Sequence, residues 1–225
     1  MQTLDLPAVR HLVVFAPHPD DLEIGAGGTL LTLAAANPGL QVRYVLCTGS
    51  PQRQAEARAA AAAFLPDARI TFLPYQLPDG RLPARWNDTK EIIEAAAGAG
   101  PADLVLAPSP EDAHQDHRTV AELVPTAFRD ALVLQYEIPK WDGDLARPGV
   151  YVPLPEPTAR RKVELLHACF PSQKDRDWWD DEVFLGLARL RGMECRSRYA
   201  EAFGCRKAVL RLSRPAAGPE PGASR

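Results

Sequence analysis

The sequence predicts an α/β fold in which a mostly parallel β-sheet is flanked by helices. Short, nearly continuous apolar runs, typical of strands buried on both faces, occupy residues 11–16, 42–47, 104–107 and 131–134. Alanine-rich stretches of helical length separate or follow these runs, at residues 25–36, 52–64, 87–97 and 117–129. Strands that alternate with helices in this order favour a parallel sheet.

Residues that start or stop helices set the boundaries of several elements. Asn87 is a favourable N-cap for the third helix, and Gly98 is a favourable stop. Residues 69–72 could add a further strand. The segment 74–83 is rich in proline and contains Gly80, so it predicts a long surface loop that borders a substrate cleft.

The pattern changes after Glu137, where closely spaced prolines and glycines predict an irregular segment rather than another α/β unit. Two helices should follow, at residues 158–169 and 181–191, and Gly192 should end the second. Residues 207–212 alternate in character and could form a final edge strand.

Length and composition suit one domain, which we predict to span residues 1–212. The chain has 225 residues, of which 46% are hydrophobic and 24% are charged. Residues 213–225 are rich in Pro, Gly, Ala and Ser, which predicts a disordered tail.

Charge and hydropathy argue against nucleic-acid partners and against membrane insertion. The formal net charge is -3 and the pI is near 6.0, so no global attraction to polyanions is expected. No basic segment followed by a long apolar run opens the sequence, and no apolar stretch approaches the roughly 18 residues that span a bilayer. We therefore predict a cytoplasmic protein whose four cysteines are reduced structural thiols.

Two clusters of acids and histidines are the most informative motifs in the sequence. His18-Pro19-Asp20-Asp21 follows the first apolar run, and His114-Gln115-Asp116-His117 follows the run at residues 104–107. Both clusters are therefore expected at the carboxyl ends of parallel strands, where open α/β sheets place ligand sites. Two imidazoles and one carboxylate could then bind a divalent ion, which outlines a hydrolytic metal site.

Less specific explanations exist for the first cluster. Asp20 and Asp21 could cap the helix that follows them. The run Gly25-Ala26-Gly27-Gly28 suggests a dinucleotide-binding turn, but Leu30 stands where the third glycine is required. We instead interpret the glycines as allowing close packing beside the metal site.

The clusters resemble those of the PIG-L or LmbE-like de-N-acetylases. The resemblance rests on Ala-Pro-His-Pro-Asp-Asp at residues 16–21, Glu-Ile-Gly-Ala-Gly-Gly-Thr at 23–29 and His-Gln-Asp-His-Arg at 114–118. It extends over most of residues 10–205 and includes a late segment with Ser172-Gln173 and residues 199–203. Family members are typically zinc-dependent amidases with a Rossmann-like sheet, and many remove acetyl from an N-acetylglucosaminyl group.

The resemblance implies a role for each motif residue. The Zn²⁺ ligands would be His18, Asp21 and His117. Asp20 would be the general base, His114 would be the acid or oxyanion stabiliser, and Asp116 would support His114. Many members place Glu directly after the paired aspartates, but Leu22 intervenes here, so Glu23 receives no catalytic role.

The predicted function is hydrolytic removal of acetyl from a small N-acetylated amino sugar, with Zn²⁺ preferred and Fe²⁺ able to occupy the same ligands. Two alternatives remain from the residues themselves. Non-haem iron oxygenases also use two histidines and one carboxylate. A noncatalytic sugar-binding or metal-binding protein would need the same side chains without turnover. Some relatives form homo-oligomers, and no segment here fixes a stoichiometry.

Further residues are weaker candidates. Arg53, Tyr136 and Glu137 lie near the predicted carboxyl edge of the sheet and are candidate substrate contacts. Three tryptophans could stack on a sugar ring, although packing is the more common role for such residues, namely Trp141, Trp178 and Trp179. His11 and His167 are interpreted as structural.

Overall fold

The computed structural model of the chain describes residues 2–210. Its strands are β1 His11–Ala16, β2 Gln41–Thr48, β3 Arg69–Leu77, β4 Leu104–Pro108, β5 Leu132–Tyr136, β6 Val150–Leu154 and β7 Tyr199–Gly204. They form one seven-stranded sheet in the order β3-β2-β1-β4-β5-β7-β6. The first five strands pair in parallel, and β7 is antiparallel to both β5 and β6. The predicted α/β class with a mostly parallel sheet is therefore confirmed.

Helices cover both faces of the sheet. The longer ones are α1 Asp21–Ala36, α2 Pro51–Phe64, α3 Trp86–Gly98, α4 Gln115–Ala127, α5 Glu156–Cys169 and α6 Asp181–Cys195. Helices α1, α2, α5 and α6 pack into one apolar cluster with one face of the sheet, and α3 and α4 pack on the other face. No helix in residues 2–210 is both long enough and apolar enough to cross a membrane.

The continuous apolar run of β1 follows from this layering. Leu12 and Val14 belong to the cluster on the α1 face, and Val13 and Phe15 belong to the cluster on the α3 face. All four side chains are buried. A strand that is covered on both sides has no position for a polar side chain, which explains why alternation is absent.

A buried charged pair fastens α1 to the C-terminal part of the chain. The ammonium of Lys162 in α5 donates to the carbonyl oxygen of Ile24, at 2.6 Å, and to Oε1 of Glu201 in β7, at 2.7 Å. The Glu201 carboxylate also accepts hydrogen bonds from the backbone N–H groups of Gly28 and Thr29. The opposite charges and these hydrogen bonds together make burial of the pair tolerable.

The C-terminal part departs most from the sequence predictions. Strand β6 lies in the segment predicted to be irregular, and its Pro153 is accommodated because β6 is an edge strand. Within residues 2–210 the last strand is β7, and residues 207–210 of the edge strand predicted at 207–212 have no regular secondary structure. Residues 211–212 and the tail at 213–225, which we predicted to be disordered, lie outside the described residues.

Several predicted boundaries were also wrong. Helix α3 begins at Trp86 with Arg85 at the N-cap, so Asn87 lies inside the helix. Helix α6 continues past Gly192 to Cys195, and Arg196 ends it in a left-handed conformation. Strand β3 extends into the predicted loop.

The order of the strands indicates where a ligand site lies. The chain moves from β1 outwards to β2 and β3, and then returns to the other side of β1 to form β4 and β5. The carboxyl ends of β1 and β4 therefore lie at a topological switch point, where the loops diverge and leave a crevice. The two acid-histidine clusters follow these two strands.

Gly192 provides a test of the packing of α6. An added Cβ would lie 2.6 Å from the Arg198 carbonyl oxygen, which is backbone and cannot rotate away. Gly192→Ala should therefore lower the free energy of unfolding by about 1–3 kcal/mol. Gly186→Ala is the matched control, because Gly186 lies in the same helix and its added Cβ meets nothing within 4 Å. The free energy of unfolding of that variant, measured by urea denaturation, should rise by about 0.5–1 kcal/mol. Equal effects of the two substitutions would contradict the close packing of Gly192 against Arg198.

Candidate metal centre and active site

A cavity of about 230 Å³ opens at the carboxyl ends of β1 and β4. Fifteen residues line it: His18, Asp20, Asp21, Ile24, Arg53, Asp79, His114, His117, Ile138, Lys140, Trp141, Asp142, Gln173, Arg176 and Trp178. The two sequence clusters, almost a hundred residues apart, therefore meet in one site. Of the segment 74–83, which we predicted to border a substrate cleft, Asp79 alone lines this cavity.

Three predicted ligand atoms converge inside the cavity. His18 Nδ1 lies 3.0 Å from His117 Nε2 and 3.1 Å from Asp21 Oδ2. His117 Nε2 lies 3.2 Å from the same Asp21 oxygen. Ligand atoms at about 2.0–2.1 Å from a tetrahedral zinc ion lie about 3.3 Å apart, so these separations fit such an ion with little movement.

The outer nitrogens of the two histidines explain why the inner ones can act as ligands. His117 Nδ1 donates to Asp112 Oδ2 at 2.8 Å. His18 Nε2 lies 3.1 Å from both Asp116 Oδ2 and Asp79 Oδ1. Carboxylates at these positions fix the proton on the outer nitrogen of each ring. The inner nitrogens can then present lone pairs towards each other and towards Asp21, an arrangement that suits a bound cation.

The pKa values reflect the same need for positive charge. Burial opposes a charge on His117, but Asp21 and Asp112 outweigh it and raise the pKa of His117 to about 9. The pKa of His18 is likewise raised well above its usual value, against burial, chiefly by Asp21. The pKa of Asp21 is lowered, because the two imidazoles overcome the cost of burial. A divalent cation would supply this positive charge in place of the protons.

Other groupings of ligand atoms overlap with this set. His18, His114 and His117 could offer one nitrogen each, and His18 could also combine with Asp79 and Asp116. The second grouping uses His18 Nε2, whose partners are the two carboxylates that orient the ring. The His18 Nδ1, Asp21 Oδ2 and His117 Nε2 atoms therefore form the better centre.

Asp20 differs from Asp21 in both backbone and environment. Its φ of 94° lies in the left-handed region, where aspartate is better tolerated than most residues. Its side chain makes no capping hydrogen bond to α1, so the capping explanation fails for Asp20. Asp20 Oδ2 instead accepts a hydrogen bond from Arg53 Nη2 at 2.8 Å. Burial raises the pKa of Asp20 to about 7, although Arg53 opposes the shift.

His114 stands at the start of α4. It occupies the N-cap position, and its Nδ1 accepts a hydrogen bond from the backbone N–H of Asp116 at 3.2 Å. Nε2 therefore carries the ring proton. Burial, followed by the neighbouring imidazoles of His18 and His117, lowers the pKa of His114. The ring is thus a neutral hydrogen-bond donor beside the candidate metal centre.

Asp116 has a different role from the predicted one. Its carboxylate accepts hydrogen bonds from the backbone of Gly80 and Leu82 and contacts His18, so it orients His18 rather than His114. Only its backbone N–H reaches His114. Asp116 therefore ties the loop after β3 to the candidate metal centre.

Three residues that position the candidate histidine ligands were not predicted: Asp79, Asp112 and Lys140. Asp112 orients His117, and Lys140 Nζ holds the other oxygen of Asp112 at 2.9 Å. Asp112 precedes His117 by five residues in a short acid-histidine segment, and this proximity was an available signal. Asp79 and Lys140 carried no comparable signal, because only the folded chain brings their loops together.

The weaker candidates divide between the cavity and the core. Arg53 lines the cavity, as do Trp141 and Trp178. Tyr136 is fully buried and donates to the Phe15 carbonyl oxygen at 2.7 Å. Glu137 is buried in a two-point ion pair with Arg191. Neither Tyr136 nor Glu137, the other two predicted substrate contacts, lines this cavity, and both hydrogen-bond within the protein.

The remaining predicted structural groups lie away from the cavity. His11 Nδ1 lies 3.4 Å from Asp103 Oδ2, and His167 Nε2 lies 2.7 Å from Asp181 Oδ1. Trp179 is buried among aromatic side chains. The four cysteines form no disulfide with one another, in agreement with the prediction of free thiols.

The fold and the cavity define a class: an α/β protein with a two-histidine, one-aspartate candidate metal centre at the switch point of its sheet. The family model for PIG-L, the GlcNAc-PI de-N-acetylases, matches residues 13–128, which include all three candidate ligands. The chain belongs to the PIG-L family.

Solved structures share the fold. The conserved protein TT1542 from Thermus thermophilus has a TM-score of 0.70 and 25% identity, covering 91% of this chain and 99% of that one. The N,N'-diacetylchitobiose deacetylase from Pyrococcus horikoshii has a TM-score of 0.64 and 20% identity, with 88% and 84% covered. The 4-carboxy-2-hydroxymuconate hydratase GalB from Pseudomonas putida has a TM-score of 0.65 and 16% identity, with 92% and 100% covered.

Asp112 provides a test of the metal centre. Asp112→Asn replaces the carboxylate that fixes the tautomer of His117 with a neutral amide, so it should weaken the affinity of the site for a divalent ion by about 10–100-fold. Competition with a chromophoric chelator measures this affinity. Asp142→Asn is the matched control, because Asp142 lines the same cavity and makes no hydrogen bond to a histidine within residues 2–210. Equal affinities in the two variants would remove Asp112 from the centre.

Proposed function

We propose that the protein is a metal-dependent N-deacetylase that hydrolyses the acetamide of a small N-acetylated amino sugar. The observation that carries the proposal is the convergence of His18 Nδ1, Asp21 Oδ2 and His117 Nε2 within 3.0–3.2 Å of one another, beside a separate carboxylate. Membership of a family described as de-N-acetylases supports the reaction class.

His18, Asp21 and His117 would hold a zinc ion, and Fe²⁺ suits the same donors. When bound, the ion would lower the pKa of a water molecule to about 7 and polarise the carbonyl of the amide. Three protein ligands leave room for that water and for the substrate oxygen. Asp112, Asp116 and Asp79 keep both imidazoles oriented throughout.

Asp20 is suited to remove a proton from the attacking water. A general base works best when its pKa lies near the working pH, and burial brings the pKa of Asp20 to about 7. The Arg53 guanidinium fixes one oxygen of the carboxylate, which holds the group in place. Asp21 cannot share this task, because the positive charge around it keeps its pKa low.

His114 is suited to stabilise the developing oxyanion. Its neutral ring offers Nε2–H as a donor, and its ring centroid lies 4.7 Å from that of His18 and 4.8 Å from that of His117. An amine must be protonated to leave, and the proton that Asp20 would take from the attacking water is available for this step.

The cavity wall supports a sugar as the substrate. Carboxylates, guanidinium groups and the Gln173 amide can hydrogen-bond hydroxyl groups, while Trp141 and Trp178 offer aromatic faces at the rim. Similarity in fold to the chitobiose deacetylase agrees with this substrate class.

Acetate release is the direct test. The purified protein should release acetate from a panel of N-acetylglucosaminyl glycosides, lose this activity with a chelator, and regain it when zinc is added back. The fold also occurs in a hydratase, so the reaction has to be measured. Oxygen consumption with iron and no acetate would favour an oxygenase, and metal binding without turnover would favour a noncatalytic protein.

Asp20→Asn separates the base from the metal ligands. Asparagine keeps the shape but cannot accept the proton, so kcat should fall by about 10²–10⁴-fold. Zinc content measured by elemental analysis should stay near that of the unaltered protein, because the three ligands remain. Parallel loss of zinc would show that Asp20 is a ligand and that its assignment as base is wrong.

Arg53→Met tests the electrostatic control of Asp20. Arg53 lowers the pKa of Asp20, so removal of the cation should raise that pKa and move the acid limb of the kcat/KM profile to higher pH by about one unit. Arg176→Met is the matched control, since Arg176 lines the cavity and makes no ion pair with Asp20. An unmoved acid limb in Arg53→Met would mean that Asp20 does not set it.

A further inference from the structure

A second cavity, of about 710 Å³, lies outside the candidate active site and shares none of its lining residues. We call it the arginine hollow, because Arg118, Arg147 and Arg206 line it. It lies between the loop that follows β4, helix α4, the loop before β6 and the end of β7.

The charges of the arginine hollow are not neutralised by ion pairs. None of the three arginines pairs with a carboxylate within residues 2–210. Glu111 and Glu122 also line the hollow, so its net charge is positive by one. Guanidinium groups bind phosphate oxygens through two parallel hydrogen bonds, which makes an oxyanion the natural ligand of several arginines.

An unsatisfied buried amide lines the same hollow. Gln135, in β5, is only 4% exposed, and its Nε2 has no hydrogen-bond partner in the described part of the chain. A buried donor without an acceptor destabilises a protein, so such a group needs an explanation. The Nε2 atom has almost no exposed surface, so the Gln135 side chain would have to turn towards the hollow to meet an oxygen of a bound ligand.

Arg118 is already held in place. Its Nη1 donates to the carbonyl oxygens of Asp112, at 2.8 Å, and of Ala113. Arginine has five N–H donors, and the others remain available to a ligand. The ordering cost of this side chain is therefore met by the loop before binding occurs.

From these contacts we infer that the arginine hollow binds a phosphate group, either as free inorganic phosphate or as the phosphomonoester of a small metabolite. Its volume falls within the roughly 300–1,000 Å³ of small-molecule sites. Arg147 and Arg206 supply exposed donors, Arg118 supplies a fixed one, and the Gln135 amide is a further donor once its side chain turns towards the hollow. This site does not depend on the proposed deacetylation.

Calorimetric titration of the purified protein with inorganic phosphate, and separately with glucose 6-phosphate, tests the site. The double variant Arg147→Ala/Arg206→Ala should weaken binding by at least about ten-fold, since two charge-assisted contacts are lost. The matched control is Arg10→Ala/Arg189→Ala, which removes two exposed arginines elsewhere and should bind as the unaltered protein does. Tighter binding of the ester would identify a phosphorylated metabolite, and equal binding would identify free phosphate.

Gln135→Met separates a ligand role from a structural one. Methionine is close in size and removes the unpartnered donor. The free energy of unfolding without phosphate should therefore not fall, whereas the affinity for phosphate should decrease. Binding unchanged in both Gln135→Met and the arginine double variant would place the anion elsewhere and overturn the inference. Absence of binding to the unaltered protein would also overturn the inference. The same holds if neither probe binds and the double variant dissociates an oligomer, because the arginines would then belong to a subunit interface.

Discussion

The arrangement of the site depends on one electrostatic constraint: three electron-pair donors face one another at the switch point of the sheet. His18 Nδ1, Asp21 Oδ2 and His117 Nε2 would repel each other without a positive charge between them. The outer carboxylates strengthen the constraint, because they hold protons on the far side of both rings. Most polar contacts around the cavity can be understood as support for this arrangement.

Adjacent residues acquire opposite properties from this constraint. Asp21 faces the imidazoles and its pKa falls, whereas Asp20 is turned away by its left-handed backbone into a buried position beside Arg53 and its pKa rises. Two carboxylates with separated pKa values can perform different tasks in one reaction. The unusual φ of Asp20 fits the proposed division between ligand and base, because backbone strain is concentrated at functional sites.

The sequence was most informative where periodicity and local spacing set the structure. The first four apolar runs became strands, and the paired clusters met, because parallel strands bring their carboxyl ends to one edge. It was least informative where tertiary contacts override local pattern. Strand β7 was missed because Glu201 interrupts an otherwise apolar segment, and Lys162 together with the backbone N–H groups of Gly28 and Thr29 makes that burial tolerable. The burial of Tyr136 and Glu137 away from the cavity was not predictable, because it depends on neighbours distant in sequence.

The buried pair of Lys162 and Glu201 has a consequence for the order in which the protein can mature. All three candidate ligands precede residue 118. The helix that carries Asp21, however, is held by hydrogen bonds to Lys162 in α5 and Glu201 in β7. A ribosome-bound chain that had emerged only through α4 would contain every donor atom but would lack the hydrogen bonds that hold α1. Completion of the centre would therefore wait for the last strand, so that a nascent chain would be poorly prepared to capture an ion before its synthesis was nearly finished.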